Sequence, residues 1–334
     1  NKTSITSSPK GQLTEQPIHS SYINYLVHQF EHLKNMDLPV AFDCGNAAAG
    51  TIIPDLIQTM NWKNTRVLYP DIDGNYPHHE ADPTIERNML DLKKVVTEDN
   101  YAYGIGFDGD ADRMGAVTKS GYLIPGDRLL AIMAQPIIEK NHGVTIVCDI
   151  SSSAALVNTI RSWGARACMV ATGAVNIKAA MHREKALLGG ELSCHFSFAD
   201  RYFGFDDGIY SALRLIELLV NSKKDLDTLV LELPSMHSTP VLRIPCEPID
   251  MKPMIDAVHT FYAARSDAHI ITIDGVRATT HNGWSLIRAS NTQPVLSIRC
   301  ESSTQEGLAL LKNEFKTILA PYLSEDTLNI YFGI

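Results

Sequence analysis

The chain has little cysteine, and none of its six cysteines forms a C-x-x-C pair with another. That spacing is typical of zinc clusters and thiol redox sites, so the sequence predicts neither kind of site. We interpret the cysteines as buried free thiols of a protein in a reducing cytosol. Long apolar runs are also lacking. No run approaches the roughly 18 residues of a membrane span, which argues against a membrane protein.

Basic residues are fewer than acidic residues. The 334 residues include 29 lysines and arginines against 38 aspartates and glutamates, a net charge of −9. Because a nucleic-acid backbone requires a basic protein face, this balance argues against a nucleic-acid partner. The charge balance does not argue against small phosphorylated ligands, since a site for them needs only a few local cations. With 45% hydrophobic and 20% charged residues, we expect a globular protein of two or three domains.

Strands and helices alternate over the first two thirds of the chain. Apolar runs at 101–107 and 144–150 predict buried strands, whereas the spacing of apolar residues at 84–99 and 206–222 predicts helices. This alternation predicts parallel wound sheets. Beyond about residue 245, strands dominate between two helices, which is typical of an α+β domain.

The expected fold is therefore α/β, with two wound domains followed by an α+β C-terminal domain. We expect the two wound domains at 20–121 and 122–234, and the C-terminal domain at 235–334. Within this division, 233–245 is interpreted as linker. Residues 1–19 have no initiator methionine and no hydrophobic signal core, so they are expected to be a linker or a remnant exposed by truncation.

Three aspartates alternate in a glycine-containing loop, at Asp108, Asp110 and Asp112, directly before Arg113. Carboxylates this close disfavour each other's ionisation, which makes sense if a cation lies among them, and Mg²⁺ or Ca²⁺ suits such oxygens. An EF-hand needs glycine at its sixth position and glutamate at its twelfth, where this chain has Arg113 and Lys119. A surface Asp-Gly turn is the remaining alternative. The buried strand before this aspartate loop and the adjacent arginine favour the metal site.

A second polar set consists of Glu191, Ser193 and His195, which alternate so that all three can face one cleft. A carboxylate, a hydroxyl and an imidazole could recognise the hydroxyl groups of a sugar, and we call 191–195 the sugar loop. From spacing alone, an ordinary alternating strand with a solvated polar face is the favoured alternative.

A third polar set consists of Arg288, Ser290, Asn291 and Thr292, between two expected strands. A guanidinium, two hydroxyls, an amide and free backbone N–H groups can bind a phosphate. We call 288–292 the phosphate loop. A plain polar turn before Pro294 is the alternative, and the arginine favours the phosphate site.

Taken in order, the motifs DGDADR, GELSCH and RASNTQP resemble those of the α-D-phosphohexomutases, most closely the bacterial phosphomannomutase/phosphoglucomutase type. The stretches DCGNAAAG, DGNYPHHEADP, RYFGFDDGIYSALRL and TIDGVR support the resemblance, which extends from about residue 20 onward. It implies an enzyme that moves phosphate between the 1- and 6-positions of a hexose through a bisphosphate intermediate. Mg²⁺ would be its cofactor, and hexose 1,6-bisphosphate its activator.

The resemblance also implies roles for the three sets. The three aspartates would be the metal ligands, and Arg113 would support catalysis. Glu191, Ser193 and His195 would hold the sugar hydroxyls, while the phosphate loop would grip the non-reacting phosphate. The implied partners are mannose or glucose 1- and 6-phosphates. A monomer in the cytoplasm is expected, with no nucleic-acid or membrane partner.

Four departures from the family pattern stand out. No stretch of this sequence resembles the family's phosphoserine loop, which supplies the nucleophile, so the domain that carries it is expected to be absent. Ser151 stands where a lysine is usual, Ala174 where a histidine is usual, and Cys194 where a glycine is usual. The leading hypothesis is thus a phosphohexomutase whose chain is inactive alone. The alternative is a non-catalytic hexose-phosphate-binding protein descended from one. A nucleotide-binding protein has little support, because no G-x-G-x-x-G or P-loop lysine is present.

Overall fold

A computed structural model describes residues 11–37, 39–290 and 293–333, and their strands form three separate sheets. We call each sheet with its helices a unit, numbered along the chain. In the described part of the chain, none of the helices combines the length and the apolar composition that crossing a bilayer requires. The described cysteines are all free thiols, and four of the six are buried, as expected.

The first unit contains a five-stranded sheet in the order β2-β1-β3-β4-β5. Its strands are β1 (Val40–Asp43), β2 (Thr65–Leu68), β3 (Tyr103–Phe107), β4 (Met114–Thr118) and β5 (Leu123–Ile124). Its helices are α1 (His19–Gln29), α2 (Ile53–Met60) and α3 (Leu90–Glu98), with short 3₁₀ turns at Glu31–Leu33, Ala48–Thr51 and Glu86–Met89.

Only part of this sheet is parallel. β1 pairs in parallel with β2 and β3, but β4 pairs antiparallel with both of its neighbours, β3 and β5. The expectation of a parallel sheet is therefore wrong for its second half. The reason is the short aspartate loop, 108–113, because a parallel connection needs a crossover of a dozen or more residues.

The second unit has a four-stranded sheet in the order β7-β6-β8-β9, parallel except for the β8–β9 pair. Its strands are β6 (Thr145–Asp149), β7 (Arg166–Val170), β8 (Leu188–Gly190) and β9 (Phe196–Phe198). Its helices are α4 (Gly126–Lys140), α5 (Ala154–Ser162), α6 (Ala174–Glu184), α7 (Gly208–Ser222) and α8 (Leu226–Leu231). Ser153 caps α5, because its hydroxyl oxygen accepts from the Ala155 backbone N–H.

The third unit is an antiparallel sheet covered by helices, which confirms the α+β prediction. Its strands are β10 (His237–Ser238), β11 (Leu242–Pro245), β12 (His269–Ile271), β13 (Val276–Thr280), β14 (Gly283–Ala289) and β15 (Val295–Ser302). Its helices are α9 (Pro248–Ala263), α10 (Gln305–Leu319) and α11 (Glu325–Phe332). The predicted linker at 233–245 contains β10 and β11, both paired with β15, so that interpretation is wrong over its second half.

The first two units share one continuous hydrophobic core, in which Phe42 of β1 and Phe198 of β9 are both buried. Residues around α1 join them. The rings of Phe30 and Tyr210 lie 5.4 Å apart, and the Tyr22 hydroxyl donates to the Asp207 carboxylate at 2.8 Å. The third unit packs around its own core between its sheet and helices. The first two units should therefore behave as one rigid body.

The third unit meets the second mainly through polar contacts around the turn after β6. The guanidinium of Arg277 donates to the carbonyl oxygens of Ile150 and Ser152. Arg299 donates to the Ser151 carbonyl at 2.6 Å and to the Asp127 carboxylate at 3.1 Å. These bonds are charge-assisted and mostly buried, so they fix the direction from which the third unit approaches.

A largely buried ion pair ties the loop between β2 and the Glu86–Met89 turn to the end of β1. Asp43 ends β1, and its Oδ2 lies 3.1 Å from Nε2 of His79, while Nδ1 of the same ring lies 3.0 Å from the Glu80 carbonyl. Both partners accept hydrogen bonds, so both bonds form at once only when the imidazole is doubly protonated. The bond to Asp43 raises the pKa of His79 to about 9, against an opposing effect of burial.

We predict that His79→Gln lowers the free energy of unfolding by about 2 kcal/mol near pH 6, and by much less near pH 10. The folded-state pKa of His79 lies above its unfolded value, so its contribution is complete below about pH 6.5 and is lost as pH rises through about 9. Urea unfolding at both pH values measures the effect. His142→Gln, in an exposed loop, is the control. Equal losses for His79→Gln at both pH values would contradict the assignment.

Candidate functional site

The aspartate loop connects β3 to β4 at the carboxyl end of the parallel strands. It turns sharply, with Ala111 in the left-handed region at φ +62°. This turn brings oxygens of Asp108, Asp110 and Asp112 within 4.8 Å of one another. The three side chains range from buried at Asp108 to exposed at Asp110, so the group opens toward solvent on one side. The convergence predicted from their alternate spacing is present.

Arg113 neutralises part of this charge. Its Nε donates to Asp108 Oδ2 at 2.7 Å, and its backbone N–H donates to the other oxygen at 3.0 Å. A terminal nitrogen lies 3.2 Å from Asp82, a residue that sequence reasoning missed. Even so, burial raises the pKa of Asp108 to about 6, against the lowering effect of Arg113. A hard cation such as Mg²⁺ among the three carboxylates would favour the ionised form of Asp108.

The sugar loop is a tight turn between β8 and β9, and not the alternating strand considered as the alternative. The Glu191 carbonyl accepts from the Cys194 N–H at 3.0 Å, and Cys194 has φ +70°. A side chain rarely adopts this conformation, which is why a glycine would suit the position. The turn brings the predicted trio together: Nδ1 of His195 lies 3.1 Å from Glu191 Oε2 and 3.0 Å from the Ser193 hydroxyl.

The aspartate loop and the sugar loop are in direct contact. Nε2 of His195 lies 3.3 Å from Asp112 Oδ1, and the Met114 N–H donates to the Cys194 carbonyl at 3.2 Å. Burial alone would lower the pKa of His195, but hydrogen bonds to Asp112 and Glu191 outweigh it and raise that pKa to about 9. The ring is therefore an imidazolium at neutral pH and carries positive charge between two carboxylates.

Asp149 organises the second unit's side of the cleft, a role that the sequence did not indicate. It is fully buried at the end of β6. Its oxygens accept from the Ser152 hydroxyl at 2.7 Å, the Thr172 hydroxyl at 3.1 Å and the Leu192 N–H at 3.1 Å. The Ser151 hydroxyl also donates to Asp149. Ser151, at the family's usual lysine position, is thus part of a structural turn.

The phosphate loop begins within the last two residues of β14, so Arg288 lies in the strand and not, as expected, in the loop between the strands. Arg288 is largely buried, and its Nε donates to Asp274 Oδ2 at 2.7 Å. The Ser290 backbone N–H donates to the Val295 carbonyl at 3.0 Å, and the Ser290 hydroxyl accepts from the Gln293 N–H at 3.3 Å. Asn291 and Thr292, also predicted for this site, lie outside the described residues. Asp274 was not predicted as a site residue, although it belongs to the TIDGVR stretch.

Comparison with known proteins agrees with this arrangement. Models for phosphoglucomutase/phosphomannomutase match in order: α/β/α domain II at 20–121, α/β/α domain III at 125–237, and the C-terminal domain at 240–318. Domain I is not matched. A phosphomannomutase/phosphoglucomutase of Pseudomonas aeruginosa is 40% identical over 282 residues, which cover 84% of this chain. The match spans 60% of that relative's length.

Solved structures show the same fold. A phosphoglucomutase/phosphomannomutase family protein of Burkholderia thailandensis superposes with a TM-score of 0.82 at 32% identity, covering 91% of this chain and 64% of the other. An N-acetylphosphoglucosamine mutase of Aspergillus fumigatus, solved with GlcNAc-6P and magnesium, has a TM-score of 0.64 at 14% identity. The match covers 89% of this chain and 69% of the fungal chain. At this identity it shows a shared fold alone.

The fold and these matches define a protein of the phosphohexomutase superfamily, as the sequence motifs predicted. Within it, the chain belongs to the phosphoglucomutase/phosphomannomutase family, a family of isomerases, and carries the family's domains II, III and IV.

We predict that Asp110→Asn weakens Mg²⁺ binding by about tenfold or more, because it removes one charged oxygen from a set of three. Asp110 is the most exposed of the three, so the fold should tolerate the change. Calorimetric titration with MgCl₂ measures the affinity. Asp99→Asn, in the exposed turn between α3 and β3, changes the net charge by the same amount as Asp110→Asn and should titrate like the wild type. Equal affinities for the two variants would place the metal elsewhere.

Proposed function

We propose that this chain supplies the metal-, sugar- and phosphate-binding parts of a Mg²⁺-dependent phosphomannomutase/phosphoglucomutase. The reaction is the interconversion of hexose 1-phosphate and hexose 6-phosphate through a hexose 1,6-bisphosphate. The observation that carries the proposal is the direct contact between the aspartate loop and the sugar loop, through Asp112 and His195. A phosphoryl-transfer site needs a bound cation beside groups that orient the sugar. This contact places the loop that would hold the cation against the loop that would orient the sugar.

Asp108, Asp110 and Asp112 would hold Mg²⁺, which neutralises charge on a phosphoryl group during transfer. The magnesium bound to the fungal mutase supports this cofactor. Arg113, between Asp108 and Asp82, adds a fixed positive group beside the three carboxylates.

Glu191, Ser193 and His195 would orient the hexose. The imidazolium of His195 can donate to a sugar hydroxyl, and the Glu191 carboxylate can accept from one. Glu191 is buried and also accepts from the Gly173 N–H at 2.5 Å, so its position is set before a ligand arrives. Because this carboxylate is already in place, it can orient the hexose without a cost for ordering its side chain. The GlcNAc-6P bound to the fungal mutase supports a sugar phosphate as ligand.

Arg288, Ser290, Asn291 and Thr292 would bind the phosphate that does not react. The family's phosphoserine nucleophile belongs to domain I, which is not matched here. No catalytic nucleophile is therefore assigned among the residues of this chain. The monomeric state, the cytoplasmic location and the 1,6-bisphosphate activator stay predictions. The alternative of a non-catalytic binding protein gains no support from the named relatives, which are mutases.

The direct test is an assay for conversion of mannose 1-phosphate to mannose 6-phosphate, with Mg²⁺ and a catalytic amount of glucose 1,6-bisphosphate. We expect no turnover by the chain alone, and turnover when it is fused behind domain I of the P. aeruginosa relative. The same fusion carrying Asp110→Asn is the matched control and should be strongly impaired. Lack of turnover by a folded fusion that binds both Mg²⁺ and hexose phosphate would contradict the proposed activity. That outcome would favour binding without catalysis.

We predict that Arg288→Ala weakens glucose 1-phosphate binding by about tenfold to a hundredfold, because hydrogen bonds between a guanidinium and a phosphate are charge-assisted. Calorimetric titration in the presence of Mg²⁺ measures the affinity, and circular dichroism confirms the fold. Arg161→Ala removes an exposed arginine near the far end of α5 and should bind like the wild type. Unchanged affinity in Arg288→Ala would place the phosphate elsewhere.

A further inference from the structure

Asp274 lies in the loop between β12 and β13, where the third unit faces the second. Its side chain is 14% exposed, and one of its oxygens, Oδ2, accepts two hydrogen bonds. One comes from Nε of Arg288 at 2.7 Å, within the third unit. The other comes from the backbone N–H of Thr172 at 3.1 Å, in the second unit. A single oxygen atom therefore joins the arginine of the phosphate loop to the neighbouring unit.

The backbone fixes Asp274 against β14. The next residue, Gly275, has φ +71°, a conformation that favours glycine. A Cβ on Gly275 would lie 2.1 Å from the Ile287 carbonyl oxygen and 2.7 Å from the Arg288 Cα. Only a residue without a side chain lets the loop lie this close to the strand. The carboxylate is thereby held beside the Arg288 side chain before any ligand binds.

The contact with Arg288 uses one nitrogen and leaves others available. Within the described part of the chain, Nε is the only guanidinium atom of Arg288 with a hydrogen-bond partner. The guanidinium group is planar, and the hydrogen bond from its Nε to Asp274 restricts its rotation. The direction in which its two terminal nitrogens point is therefore restricted as well. Two parallel N–H groups are the geometry that binds a phosphate bidentately. Asp274 and a phosphate would therefore not compete for the same donors.

On its other side, Asp274 reaches the turn that supports the sugar loop. The residue after Thr172 is Gly173, whose N–H donates to Glu191 at 2.5 Å. Glu191 contacts His195, and His195 contacts Asp112, at 3.1 and 3.3 Å. Short polar contacts, linked by the peptide bond between Thr172 and Gly173, thus run from Arg288 to the aspartate loop across all three units.

We propose that Asp274 is a positioning residue for phosphate recognition. It orients the Arg288 guanidinium toward the ligand and, through Thr172, holds the end of β14 that carries Arg288 in register with the sugar loop. This inference rests on the proposed function, since it assumes that Arg288 binds the substrate's phosphate. Its negative charge beside a phosphate is unfavourable for binding, so its contribution is one of geometry.

The two hydrogen bonds end on the same oxygen, and this gives a sharp test. Asparagine also has one carbonyl oxygen, so Asp274→Asn can keep both bonds without the charge, whereas Asp274→Ala loses both. We expect Asp274→Ala to weaken glucose 1-phosphate binding by about tenfold, and Asp274→Asn to stay within about threefold of the wild type. Both variants should bind Mg²⁺ like the wild type. Asp256→Ala, on an exposed face of α9, is the control.

Calorimetric titration of the whole chain with glucose 1-phosphate, and separately with MgCl₂, gives these affinities. A double variant, Asp274→Ala with Arg288→Ala, should bind no more weakly than Arg288→Ala alone, because Asp274 acts through Arg288. The NMR signal of the Arg288 Nε–H should shift in Asp274→Ala and much less in Asp274→Asn. This signal reports the orientation directly, which a loss of overall stability would not mimic.

Three outcomes would overturn the inference: wild-type affinity in Asp274→Ala, equal losses in the alanine and asparagine variants, or additive losses in the double variant. Failure of the proposed function looks different. If Arg288→Ala itself binds glucose 1-phosphate like the wild type, the phosphate site lies elsewhere. If Arg288→Ala loses binding and Asp274→Ala does not, only the role of Asp274 fails.

Discussion

Excess negative charge around the aspartate loop is the constraint on which the rest of the site depends. Arg113 holds Asp108, and the imidazolium of His195 holds both Asp112 and Glu191. Arg113 and His195 each lie between two carboxylates, so the removal of either side chain would leave the repulsion between its two carboxylates uncompensated. The contact at His195 also joins the first unit to the second. The same charges that suit a divalent cation thus hold two loops from different units together.

The three units are joined in two different ways. The first two share an apolar core, which resists any relative movement. The third is attached through directional bonds from Arg277 and Arg299 to the turn after β6, together with a small apolar cluster around Trp284. The contact at Asp274 lies within this second kind of interface. Only a few directional hydrogen bonds therefore position the proposed phosphate-binding residues relative to the rest of the cleft.

Much of the fold and the outline of the site could be predicted from sequence, because strong periodicity marks elements such as β6 and α7. Short strands escaped prediction. β8 is only Leu188–Gly190, and two glycines give no strand signal. The site residues that were predicted stand close together in the chain, as in the aspartate loop. Those that were missed, Asp82, Asp149 and Asp274, have partners at distant positions in the sequence, such as Arg113, Leu192 and Thr172. Such contacts exist only after the chain folds, so no local pattern reveals them.

The separate core of the third unit has an evolutionary consequence. Its interior can change without repacking the other two units, so mutations there are free of most constraints from the metal and sugar loops. Among the side chains that cross the interface, Arg277 and Asp274 bond to backbone groups of the second unit, which persist whatever residue stands there, whereas Arg299 bonds to the side chain of Asp127. Phosphate recognition can thus evolve as an exchangeable module, and covariation should concentrate at the Arg299–Asp127 pair.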